Sequence, residues 1–187
     1  MLVRKLTVLD AQRIIHNLTS LQGEDRRLRF GMMCNDDYIR DYVTKSFEQD
    51  SKWFGVDHID GHLVATCHAA IVNDEAELGC CVDEDFRGEG LAQQMFDRAV
   101  TWLRTKGITN VFMHCLTENA AMRHIARKND MTVVSGYGDT DANVQVEPAT
   151  PATILKDAYM DRIAMYDMYY KNSYRLFDFY WKRQSHT

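Results

Sequence analysis

No run of about 18 apolar residues, the length that a membrane-spanning helix needs, occurs anywhere in the chain. A helical membrane span is therefore excluded. The start, Met1-Leu-Val-Arg-Lys-Leu-Thr7, lacks the apolar core and cleavage site of a secretory leader, so a cytoplasmic location is expected. Clustered Lys and Arg are missing as well. With 22 basic against 27 acidic side chains the net charge is -5, which argues against a nucleic-acid binder, because neutralising phosphates needs basic clusters. Basic acceptors suit such a surface better. Cysteine is scarce and odd in number, 5 in all with Cys80 and Cys81 adjacent, and gives no disulfide framework in a chain of 187 residues. The thiols are expected to be reduced and to pack as small hydrophobes. What is present, 45% hydrophobic and 26% charged residues, suits one well-buried core with room for an appendage.

Hydrophobic periodicity predicts alternating strands and helices. Leu2 to Leu6 reads as a strand, and Thr7-Val-Leu-Asp10 as a capping box with Asp in the acidic place, opening a helix through about Leu18. Leu21 to Phe47 reads as helical with a break near Cys34 to Asp36, where Asn35 or Asp36 caps a second helix. Trp53 to Ile59, Asp60-Gly61 and His62 to Val72 form a hairpin pattern, since Asp-Gly suits a type I′ turn. Asn73-Asp74 turns the chain into Glu75 to Val82. From Gly90 to Lys106, Leu91, Met95, Ala99, Trp102 and Leu103 recur at helical spacing, with Gly107 placed for a left-handed cap. A strand over Val111 to Leu116, a helix over Asn119 to Lys128, and strands over Thr132 to Ser135 and Val144 to Val146 complete the pattern, around a polar loop from Gly136 to Asn143.

The stretch Val82-Asp-Glu-Asp-Phe-Arg-Gly-Glu-Gly-Leu-Ala92 carries the chemistry. It ends a strand, places Gly88 and Gly90 in a tight turn and opens a helix. N-H groups at such a helix start lack intrahelical partners and sit at the positive end of the dipole, so they suit a phosphate. Glycine permits positive φ and close approach of a ligand to the main chain. The spacing R-G-x-G-x-A resembles the pyrophosphate signature [QR]-x-x-G-x-[GA] of the GNAT acyltransferases. Contacts to acetyl-CoA from Arg87, Gly88, Glu89, Gly90, Leu91 and Ala92 are what the resemblance implies. Ala76-Glu-Leu-Gly79 resembles the family strand along which the pantetheine arm pairs, which implies main-chain contacts at Cys80, Cys81 and Val82. Glu118-Asn-Ala-Ala-Met122 to Ala126-Arg-Lys-Asn-Asp-Met131 is similar to the N-x-x-M-x-x-[LI]-A-x-K-x-G-F segment, with Asn119 in the pantetheine-touching place.

The fold implied is α/β, a GNAT domain over residues 1 to 148 with a mixed central sheet flanked by helices, followed by a helical extension over 149 to 187. Asp130 and Met131 stand where the family has Gly and Phe, and Glu84 replaces a frequent proline. Ala126 occupies the place of a tyrosine that in many members protonates the departing thiolate, so that acid is excluded here. The L-A-R-like form of this helix and Leu21-Gln-Gly-Glu-Asp-Arg-Arg-Leu-Arg-Phe30 resemble the bacterial protein-lysine acetyltransferase branch. There a glutamate on the fourth strand is the base, and Glu77 matches it by position. The resemblance implies acetyl transfer to a primary amine, a protein lysine or a small amine, in a ternary complex.

Plainer readings stand beside these. Glu77 also reads as a solvated strand residue, Arg87 as a brace for the turn, and Asp83-Glu84-Asp85 as a solvated turn. Cys80, Cys81 and Cys115 suit buried filler better than a thiol acyl-enzyme. His62 and His68 share a strand face near His58 and Cys67, but without a second pair at zinc-like spacing no metal is expected. A non-catalytic CoA-binding module and an aromatic-tailed adaptor are the competing function classes.

Beyond Pro151, Tyr159, Ile163, Tyr166, Tyr170, Tyr174, Phe177 and Trp181 recur at spacings of three and four, one face of a helix reaching about residue 182. At about 1.5 Å per residue it outruns a domain of this size, so it must bend, break or overhang. Its aromatic face needs cover from the body or from a second subunit, and a homodimer is expected. Its tyrosines are also candidates for lining the acceptor pocket.

Overall fold

The computed structural model describes residues 1–136 and 138–184. Tyr137, inside the expected polar loop, and residues 185–187, at the end of the expected extension, lie outside the described residues. The chain forms a seven-stranded sheet in the order β1-β2-β3-β4-β5-β7-β6. Its strands are β1 (Val3–Lys5), β2 (Ser51–Asp57), β3 (Leu63–Val72), β4 (Glu75–Val82), β5 (Asn110–Leu116), β6 (Thr132–Ser135) and β7 (Asp139–Gln145). Every pairing is antiparallel except β4 with β5. That parallel pair requires a crossover, which α4 (Leu91–Thr105) supplies.

The two sheet faces carry separate cores. On one, Met95, Ala99, Trp102 and Leu103 of α4 and Ile125 of α5 (Ala120–Lys128) pack on Phe54, Ala65, Cys67, Leu78 and Val111. On the other, Ile14 and Leu18 of α1 (Ala11–Ser20) and Ile39 and Val43 of α3 (Asp36–Ser46) pack on Leu6, Trp53 and Leu63. Odd and even residues of β4 therefore belong to different cores. Between α1 and α3 lies α2 (Gly23–Phe30), ended by Gly31 at φ 71°, and Asn35 caps α3 by accepting from Tyr38 N.

Asp10 accepts from Thr7 N at 3.0 Å, but it closes a 3-10 turn over Val8–Asp10 before α1 begins. The same carboxylate is held by buried Arg4 at 2.6 Å, which also binds Asp57. Burial alone would push Asp10 up, yet the Arg4 hydrogen bond and charge hold it down at about 2.

Two turn assignments change. The Asp60-Gly61 connection is not type I′, because only Gly61 has positive φ, 102°, and its N-H bonds back to His58 O at 3.2 Å. Asp60 is instead held between two imidazoles, His58 and His62. Type I′ geometry lies at Asn73 and Asp74, both with positive φ, 50° and 63°. The expected loop over 136 to 143 also shortens, since β7 already begins at Asp139. Thr140 and Ala142 point into the core while Asp139, Asp141 and Asn143 face outward, so acidic residues mask a strand alternation.

After Pro148 the chain enters α6, Pro151–Gln184, one helix of 34 residues and about 50 Å that overhangs rather than breaks. Its polar side packs against the body. Arg98 of α4, 2% exposed, binds Asp157 and Asp161, which Lys5 also reaches at 2.8 and 2.7 Å. Lys171 donates to Asp57 O at 2.8 Å. Tyr159, Tyr166, Tyr170, Tyr174, Phe177 and Trp181 stay exposed, so the body does not cover them. No described helix is long and apolar enough to cross a membrane.

Candidate active site

Strands β4 and β5 pair only from Glu75 to Glu77, opposite Asn110 to Phe112, and then part. Beyond that point β4 keeps its partner on one side alone, from Gly79–His68 to Val82–Ala65. The parting opens a cleft of about 600 Å³. One wall is the free edge of β4 with Cys80, Cys81 and Val82. The opposite wall is the start of α5, and α2 forms the roof through Asp25, Leu28 and Arg29.

The glycine turn closes one end. Gly88 and Gly90 have φ of 81° and 75°, as the motif requires, and a Cβ at either would meet nothing within 4 Å. The first bond into α4 runs from Gln94 N to Gly90 O at 3.1 Å. Main-chain N-H groups from Gly88 to Gln93 thus have no acceptor among the described residues, and no acidic side chain occupies the first turn. These donors fit a pyrophosphate. Arg87 serves as a brace, donating to Val82 O at 3.3 Å and pairing with Asp25 at 2.8 Å.

Cys80, Cys81, Val82, Arg87, Gly88, Gly90, Leu91, Ala92 and Asn119 all line the cleft; Glu89 does not. Asn119 is committed on both sides, capping α5 by accepting from Met122 N at 3.1 Å and donating to Leu28 O at 3.3 Å. Arg27 extends the same link from α2 to Glu118. The roof helix is therefore tied to the turn by Arg87–Asp25 and to α5 by Arg27–Glu118. The roof is not apparent from the sequence, although the resemblance already includes Leu21 to Phe30. None of the described α6 tyrosines lines this cleft.

Glu77 is outside the lining residues and exposed, at the last paired position of β4 before the strands part. Nearby His114 hydrogen-bonds Asp141 at 2.7 Å, which with Asp141, Asp139 and Glu77 charges raises its pKa. On the same face of β4, Arg29 lies flat over Gly79, with Nη1 2.8 Å from where a Cβ would stand. A side chain at Gly79 would displace it. Arg29 faces the rings of Phe30 and Tyr42 at 5.0 and 5.9 Å. Tyr42 Oη contacts His68 Nδ1 at 2.7 Å, and His68 stacks on Trp53 at 4.4 Å. Burial, with the Arg29 charge, lowers the His68 pKa to about 3, so it stays neutral.

Burial raises the Cys81 and Cys115 thiols, so neither is an activated nucleophile. His62 and His68 do not share a site. His68 is in the core, whereas His62 lies before β3 with His58 and Asp60, their donor atoms within 4.8 Å of one another. The Nδ1 atoms of His58 and His62 lie 3.0 and 2.6 Å from the Asp60 carboxylate. Asp83 is not merely solvated, because it accepts from Asn17 at 2.7 Å.

A sheet that parts beside a glycine turn, with a helix start donating free N-H groups, defines an acyl-CoA-binding transferase. The acetyltransferase (GNAT) family model matches residues 16–131, and the chain belongs to that family. It is therefore an acyltransferase of the GNAT type, drawing its acyl group from a CoA thioester. The fold is similar to the GNAT domain of S. lividans PAT, at 20% identity over 77% of this chain and 89% of that one, with a TM-score of 0.65. It is also similar to the PaiA N-acetyltransferase of Thermoplasma acidophilum in complex with coenzyme A, at 16% identity over 76% and 97%, TM-score 0.58. A mutant of the spermidine N-acetyltransferase of Vibrio cholerae gives 17% identity over 78% and 95%, TM-score 0.57. Comparison with curated proteins found no match.

Proposed function

We propose that the enzyme transfers the acetyl group directly to a primary amine in a ternary complex, with Glu77 as general base. The observation that supports this reading is the place of Glu77, exposed at the last paired position before β4 leaves β5. A lysine-like amine has a pKa near 10.4, so about one molecule in a thousand is neutral at cellular pH. A carboxylate at the mouth attracts the ammonium form and takes its proton directly or through one water. Asp139 and Asp141 on the same side add to that attraction. The free N-H groups of Gly88 to Gln93 hold the pyrophosphate, and the unpaired edge from Cys80 to Val82 offers amide partners to the pantetheine arm. With Ala126 in the tyrosine place, the thiolate is protonated by water or another tyrosine.

The test is CoA release from acetyl-CoA by the wild type and by Glu77→Gln, over lysine peptides, polyamines and amino acids. Amine-dependent release that falls roughly 100-fold or more in the variant, with acetyl-CoA binding intact, is expected. Full activity in Glu77→Gln refutes the base, and binding without turnover on any acceptor points to a sensing module. We also propose that the exposed aromatic side of α6 pairs with a second copy. Light scattering at the monomer mass would refute that pairing.

A further inference from the structure

Arg29, half-buried at the cleft, differs from the buried arginines. Arg98 holds two carboxylates and Arg4 holds two, and half-buried Arg13, Arg26 and Arg27 and exposed Arg87 each pair with an acid. Arg29 pairs with no acid among the described residues; Arg123 shows no such pair either, but of the two only Arg29 lines the cleft. Its Nε is shut off from solvent without a partner, and its one hydrogen bond is a long 3.5 Å contact to Tyr42 Oη. Two ring faces offset part of the desolvation, but a guanidinium withdrawn from water stays costly until an anion meets it. The planar fork suits a carboxylate.

Its position says which part of the ligand that anion belongs to. Arg29 lines the cleft, yet it lies over Gly79, three residues or about 10 Å along β4 from the strand end at Val82 that leads to the glycine turn. Phosphate is already matched by the free N-H groups at the turn. Glu77 lies two residues further along on the same face, so Arg29 stands between the phosphate end and the amine end.

We propose that Arg29 is a carboxylate receptor at the reacting end of the cleft, and that the substrate pair brings a carboxylate close to the transferred acyl carbon. The carboxylate has two possible sources. It belongs to the acceptor, making that an amino acid with its amine toward Glu77, or to the acyl group, making the donor a dicarboxylic acyl-CoA. This inference rests on the acyl-transfer reading and names its substrate class. A guanidinium that only braces Phe30 and Tyr42 would show no such preference.

The experiment compares substrates alike except for the carboxylate. In one arm acetyl-CoA is presented with amino acids and with their carboxamides; in the other, succinyl-CoA and butyryl-CoA are presented with carboxylate-free amines. A preference of roughly 10- to 100-fold in kcat/KM for the carboxylate-bearing member of one arm is expected. Arg29→Gln should abolish it and Arg29→Lys retain part, with acetyl-CoA affinity and melting temperature recorded for both variants. Calorimetry of the same acids with the CoA-loaded protein gives a readout independent of turnover. Acid binding that vanishes in Arg29→Gln, even where no acyl transfer is seen, keeps the receptor and refutes the transfer reading. Turnover with no carboxylate preference in either arm, or a variant that loses only stability, overturns the receptor and leaves the transfer reading intact.

Discussion

Replacing His68 by glutamine should change how stability depends on pH in a way that the core geometry dictates. His68 is 4% exposed, stacked on Trp53 and bonded to Tyr42, and Arg29 lies close by. Its folded pKa, about 3, lies below the unfolded value near 6.5. Between those values the unfolded chain binds one proton more than the native one, so stability rises with pH and is lost on acidification. One proton is worth about 1.4 kcal/mol per pH unit, which over the window amounts to roughly 4 to 5 kcal/mol. Asp10, Asp57 and Asp157, whose pKa values are lowered, weaken the fold only below about pH 4, because their stabilisation is lost as pH falls through the folded values. The glutamine side chain of the variant keeps a polar group for Tyr42 and cannot charge. Urea unfolding of wild type and His68→Gln from about pH 4.5 to 7.5 isolates the residue, since the other histidines cancel in the difference. The difference should climb by about 1.4 kcal/mol per unit up to about pH 6 and flatten above 7. A difference independent of pH would refute a neutral, buried His68.

Removing both carboxylates that hold Arg98, as Asp157→Asn with Asp161→Asn, should cost about 3–5 kcal/mol in denaturant unfolding, because a buried guanidinium is left unpaired. Adding Arg98→Met to the pair should recover most of it, and no recovery would show that α6 is held by something else. Gly90→Val should weaken acetyl-CoA binding in calorimetry more than Gly90→Asn. Space is open around a Cβ there, so the penalty comes from φ 75°, which asparagine tolerates better. Equal affinities for the two variants would contradict that account.

Much of this architecture was legible in the sequence because local chemistry and global fold agree. The order of elements, the helix from Gly90 and its glycine cap followed from period and punctuation. So did the turn itself, since glycine readily takes the φ values observed at 88 and 90. What could not be read depends on distant partners. Asp139 and Asp141 look like loop residues until β5 lies beside them. The α6 helix shows an aromatic stripe that suggests a buried face, whereas its ion pairs with Arg98 and Lys5 seat the polar side instead. The roof over the cleft was likewise hidden, because Asp25 and Arg27 read as ordinary helix charges until Arg87 and Glu118 meet them.

The parting of β4 from β5 has a cost as well as a use. It creates a sheet edge in the middle of the molecule, and an unpaired edge is a template on which any extended chain can add a strand. Natural sheets guard their outer edges with charge, proline or bulges; this one guards an inner edge with α2 above it and α5 beside it. Protection against misassembly and recognition of the cosubstrate are thus two demands on the same main-chain groups. A variant whose roof helix is loosened should be expected to aggregate through this seam before it unfolds, and a bound ligand should suppress that by occupying the place of the missing strand.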